Sequence, residues 1–168
     1  MATNYGSIHY MEYKNAATYW IAALFVIGNI ALPQLCHLVP SGGPMLLPIY
    51  FFTLVAAYKY GWKVGVLTAV ASPLVNSALF AMPAPAVLPA ILTKSLLLAA
   101  AAGFAARKFR RVSLLLLLGV VLFYQVIGSA AEWGLTGSLA AALQDFRIGI
   151  PGMLLQILGG YLFIKYLK

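Results

Sequence analysis

The chain has 168 residues, of which 63% are hydrophobic and only 8% charged, with a formal net charge of +8. A soluble domain carries about 25% charged residues, so this composition excludes one; it leaves room for about six apolar spans of roughly 20 residues each and little else. The basic excess would suit nucleic acid, but its residues sit at the ends of apolar stretches, where they match an anionic lipid surface. No nucleic-acid partner is expected, and the lipid bilayer is.

The opening stretch, MATNYGSIHYMEYKN, has no short apolar core and no small-residue cleavage site, so it does not read as a cleaved signal peptide. Tyr5, Tyr10 and Tyr13 read instead as an interfacial anchor before the first span. Six helices are predicted, over residues 16–38, 45–60, 64–81, 85–106, 112–133 and 148–167. Pro33 kinks the end of the first, and the backbone groups it frees need partners. Residues 40–44, Pro-Ser-Gly-Gly-Pro, form a turn-rich connection with high backbone freedom, whereas residues 82–85, Met-Pro-Ala-Pro, are stiff. The fifth connection, residues 134–147, contains SLAAALQDF, a short helix lying over one face. The fourth span carries small residues at four-residue spacing: Ala99 with Gly103, Ala101 with Ala105 and Ala102 with Ala106. That face serves packing within the bundle or docking of another membrane subunit. The whole chain reads as one integral membrane domain without repeats.

Nine of the eleven basic residues fall in every second seam between these stretches. Lys14 precedes the first span, Lys59 and Lys63 flank the second seam, Arg107, Lys108, Arg110 and Arg111 fill the fourth, and Lys165 and Lys168 close the chain. The first and third seams are uncharged. This alternation predicts cytoplasmic N- and C-termini, and it places the first, third and fifth connections outside. Arg147 is the basic residue on the wrong side.

With that orientation, the rise per helical residue sets a depth for each polar side chain. Asn76 lies roughly 9 Å below the outer end, Lys94, Gln125 and Gln156 roughly 12–14 Å, and Asn29 about 15 Å. Five helices therefore put an amide or an ammonium in one layer of the outer half, where polar groups usually face an interior or a cavity. Each amide reads either as an interhelical hydrogen bond or as a ligand contact. Lys94 needs a counter-charge; Glu132 is the obvious one and Asp145 the other, in a structural pair or in a ligand site. At the rim, Trp133 reads as an interfacial anchor or a stacking residue, and Arg147 as a contact for an anionic group. An aromatic, amide-rich cavity with one ammonium suits a heterocycle bearing a carbonyl or an anionic group.

Catalytic constellations are absent. No His-Glu-x-x-His, Gly-x-Ser-x-Gly or nucleotide-binding glycine loop occurs, and the chain holds three acidic residues in all. The adjacent Cys36 and His37 have no further Cys or His near the outer face, so no metal site is expected. An enzyme is not expected, nor a cofactor, and any ATP used must be hydrolysed by another chain.

From about Gly28 to Leu167 the chain resembles the substrate-binding S component of energy-coupling factor (ECF) vitamin transporters. The resemblance rests on "GNIALPQLCHLVPSGGPMLLPIYFFTLVAAYKYGWKVG", "LTAVASPLVNSALFAMPAPAVLPAILTKSLLLAAAAGFAAR" and "GIPGMLLQI". Its elements are the proline-bearing second helix, the turn from Tyr60 to Gly65, Ser72-Pro73 followed by Ala81-Met82-Pro83, and Gly149-Ile150-Pro151-Gly152. The resemblance implies an all-α bundle of six transmembrane helices in the prokaryotic cytoplasmic (inner) membrane. It implies capture of a vitamin or related micronutrient in an outer-half cavity, with a transmembrane coupling subunit and ATPase subunits as partners. Asn29, Asn76, Lys94, Gln125, Glu132, Trp133, Arg147 and Gln156 become candidate substrate contacts. Ser41, Gly42 and Gly43 become a mobile gate, and Met82 with Pro83 a stiffer wall. The family's Ala-x-x-x-Ala docking pattern on the first helix is not reproduced; the nearest match is Thr18 with Ala22.

Overall fold

The structure, a computed structural model, describes residues 8–167; Tyr5 and Lys168, assigned above to the interfacial anchor and the last basic seam, lie outside them. Among the described residues the chain is helical and has no strand. Helix α1 (Ala16–Cys36) begins at Asn15, whose side chain accepts a hydrogen bond from the Ala17 amide and satisfies one of the free donors of the first turn. Three further long helices follow their predicted spans to within a turn at each end.

The sequence predicts one helix over residues 45–60, and here the structure differs. A short α2 (Gly42–Leu46) is followed by a 3-10 turn (Pro48–Tyr50) and only then by α3 (Phe51–Tyr60). The break falls at Leu47, which sits in the left-handed region with φ 47°, directly before Pro48. Proline disfavours helical geometry in the residue before it, and a left-handed non-glycine residue costs about 1–2 kcal/mol. Burial of Leu47 in the core holds it there.

Helices α4 (Trp62–Phe80), α5 (Leu88–Phe109) and α6 (Leu114–Thr136) follow, each packed against the next. The helix expected in SLAAALQDF forms as two short pieces, α7 (Leu139–Ala142) and α8 (Gln144–Ile148). The last helix runs as α9 (Ile150–Leu154), one π-helical turn (Leu155–Gly159) and α10 (Gly160–Tyr166). Four helices, α1, α4, α5 and α6, are long and apolar enough to cross a membrane, and residues 150–166 make a shorter apolar helix. Their outward faces are apolar and exposed: Trp20, Leu24 and Ile27 line one side of α1, and Leu115, Leu118, Leu122 and Val126 one side of α6. Exposed apolar surface this extensive requires lipid or a partner to cover it.

The small residues of α5 are used inside the bundle. Ala99, Ala102 and Ala106 are fully buried, and a Cβ on Gly103 would lie 2.5 Å from that of Trp62. At the basic end the chain closes on itself. The His9 and Met11 amides donate to the last carbonyls of α3, at Lys59 and Tyr60, which a helix terminus leaves free. Tyr10 donates to the Ala106 carbonyl and Tyr58 to that of Arg111, while the buried Lys59 ammonium donates to the Leu167 carbonyl.

Candidate functional site

The site begins with a missing donor. Pro33 lies inside α1 and has no amide hydrogen, so the carbonyl of Asn29, four residues earlier, lacks its helical partner. The Asn76 side chain from α4 supplies it, donating from Nδ2 at 2.8 Å to the Asn29 carbonyl and at 3.1 Å to that of Ser72. Both acceptors are carbonyls, so the orientation of the amide is fixed by its partners. Its Oδ1 is buried and has no partner.

Asn76 lines a cavity of about 290 Å³ at the end opposite the basic seams. One wall is apolar, from Pro33, Leu47 and Pro48; the opposite wall holds Val87, Ala90, Ile91 and Lys94 of the α5 side, and Glu132, Gln144 and Asp145 close it. Gly43, Pro44, Met82 and Pro83 form its rim, with His37 and Tyr50 also reaching it. Lys94 runs to this cavity across the α5–α6 contact, where its stem lies over Gly128: a Cβ there would sit 2.5 Å from Lys94 Cγ. Its Nζ lies 2.6 Å from Glu132 Oε2 and 2.8 Å from Asp145 Oδ2, and the Asp145 contact is a directed hydrogen bond. Both counter-charges weighed for Lys94 are therefore present together. The Lys94 side chain is 4% exposed and each carboxylate 13%.

The rest of the predicted polar layer turns away from the cavity. Asn29 donates to Thr53 Oγ1 and Ser72 Oγ and accepts from the Phe52 amide, a free donor in the first turn of α3. Asn29 is thus a cap contributed by a neighbouring helix. Gln156 accepts from the Tyr124 hydroxyl at 2.8 Å, and that hydroxyl accepts from Gln125 at 3.1 Å. Neither node lines the cavity. The two rim candidates stand apart as well: Trp133 and Arg147 are exposed and outside the lining.

The first connection is more structured than its composition predicts. Gly42 is buried, and a Cβ on it would lie 2.0 Å from the Cys36 carbonyl oxygen, so glycine is required by close approach rather than for mobility. Gly43 lies against the His37 ring and reaches the cavity; Ser41 is exposed and does not. Met82 and Pro83 do line it. Tyr50, His37 and Gly128 were missed as site residues. Gly128 had a signal in principle, since only a residue without a side chain lets a lysine cross between two packed helices.

A second cavity, of about 340 Å³, opens at the basic end between Tyr10, Glu12, Trp62, Lys63, Arg107 and Arg110. There Lys63 pairs with Glu12.

Fold and site together define an all-helical protein with several helices able to cross a membrane and a charged cavity at one end. No family model, no curated protein and no solved structure matches the chain.

Proposed function

We propose that this chain is the substrate-binding subunit of an ECF-type transporter, taking a vitamin or related micronutrient from the outside of a prokaryotic cytoplasmic membrane. A membrane coupling subunit and ATPase subunits would drive import. In this reading the chain crosses the membrane six times, with α2, the 3-10 turn and α3 together making the second crossing and α9 to α10 the sixth. The alternating basic seams put both termini in the cytoplasm and the cavity outside.

The observation that carries the proposal is the cavity itself. A purely structural bundle gains nothing by leaving about 290 Å³ beside three ionisable side chains; such groups are costly in a membrane and mark ligand or ion paths. A structural or regulatory subunit without a ligand is the rival reading. The Asn29 and Tyr124 nodes favour it locally, because they join helices and do not line this cavity.

Mass spectrometry of small molecules released from the purified protein, followed by a thermal-shift screen of vitamins, separates the two. A ligand at a hundredfold its Kd stabilises by about 2.7 kcal/mol. The transport reading expects a released compound that raises Tm for the parent and not for Asn76→Ala. Nothing released, and no compound that stabilises, supports the structural reading instead.

A further inference from the structure

The transport reading leaves the cargo's chemistry open, and the cavity's own charges narrow it. Two carboxylates, Glu132 and Asp145, face one ammonium, Lys94. With all three ionised the group carries one net negative charge. The other titratable groups on the lining are His37 and Tyr50, which the formal charge counts as neutral. The remaining cations of the outer connections do not compensate, since Arg147 is exposed and outside the lining.

The neutral polar groups lean the same way. Asn76 lines the cavity and has committed its Nδ2 to two carbonyls, so its one unpartnered polar atom is an acceptor, the buried Oδ1. Glu132 Oε2 is buried too, with Lys94 as its one partner. Acceptors and negative charge exceed donors and positive charge. A net charge kept from water is expensive until a counter-charge arrives.

We propose that the cavity selects a small organic cation: an aromatic or heterocyclic ring bearing a protonated amine or amidine. This rests on the transport reading and reverses the anionic preference that Lys94 alone suggests in the sequence. The cationic nitrogen pairs with the carboxylate oxygens of Glu132 and Asp145 that Lys94 does not engage, a second N–H donates to Asn76 Oδ1, and the ring lies between Leu47 and Ile91.

The test uses three probes of one shape and different charge, benzamidine, benzamide and benzoate, in thermal-shift titrations of the detergent-purified full chain. Benzamidine is expected to raise Tm with at least tenfold tighter apparent affinity than benzoate, with benzamide between them. Asp145→Asn is expected to weaken benzamidine at least tenfold, yet to leave the ligand-free Tm equal or higher, because it removes the excess charge. Glu132→Gln repeats the test should the first variant not fold. Benzoate binding as well as or better than benzamidine overturns the cation proposal and leaves the transport reading standing. Stabilisation by none of the three also overturns it; the transport reading then stands or falls on the compound released from the purified protein.

Discussion

Two parts of the same polar layer do opposite work. On the Asn76–Lys94 side, polar atoms face a cavity with acceptor valence to spare. On the Asn29 side and around Tyr124, amides of similar depth bond to groups inside the bundle and line no part of that cavity, although Gln125 Oε1 and Gln156 Nε2 are also without a partner. The difference is not depth or residue type. It is the rotation of each helix about its axis, together with one proline that frees a carbonyl and turns Asn76 to fill it. The depth of a polar residue thus says that it needs a partner, and the rotation says whether a ligand can be that partner.

The largest expected effect breaks the cavity side. Lys94→Met leaves two carboxylates close together without their ammonium, and removing one member of a buried charge group costs about 3–5 kcal/mol. Thermal unfolding in detergent should show a severe loss of Tm or no folded protein; a variant as stable as the parent means the three groups are not mutually paired.

A smaller effect is expected on the other side. Asn29→Leu removes the cap of α3 and two hydroxyl contacts, worth about 1–2 kcal/mol on the scale of caps and interhelical hydrogen bonds in membranes. Tm should fall while the affinity for any ligand of the cavity stays within about twofold, if the effect is one of stability alone. A loss of affinity at unchanged Tm would put Asn29 back in the binding site.

Much of this was legible in the sequence. The polar layer, the pairing of Lys94 with Glu132 or Asp145, the presence of helix in the fifth connection, though not its division in two, and the partner demanded by Pro33 follow from spacing, hydropathy and missing hydrogen-bond donors. The split of the layer was not, because helix rotation depends on packing against neighbours that a single sequence does not specify. The apolar run around Leu47 reads as unbroken helix, since nothing in its hydropathy reports a left-handed residue stabilised by burial. For the same reason Trp133 and Arg147 looked like site residues: Glu132 and Trp133 are adjacent in sequence but about 100° apart around a helix, and only Glu132 faces the cavity.

The smallest expected effect follows from that angle. Trp133→Ala and Arg147→Ala, at exposed positions, should each change stability by no more than about 0.5 kcal/mol and leave ligand affinity unchanged, as read by parallel unfolding and binding titrations. A marked loss of binding in either would extend the site over the rim.

The most direct measurement fills the cavity without touching its charges. Ile91 lines it and is partly buried, so Ile91→Trp puts a ring where the ligand's ring is expected. Equilibrium binding of the compound released from the parent should weaken at least a hundredfold in this variant, with the far-ultraviolet helical signal unchanged. Binding equal to that of the parent would contradict the claim that this cavity is where the protein takes its ligand.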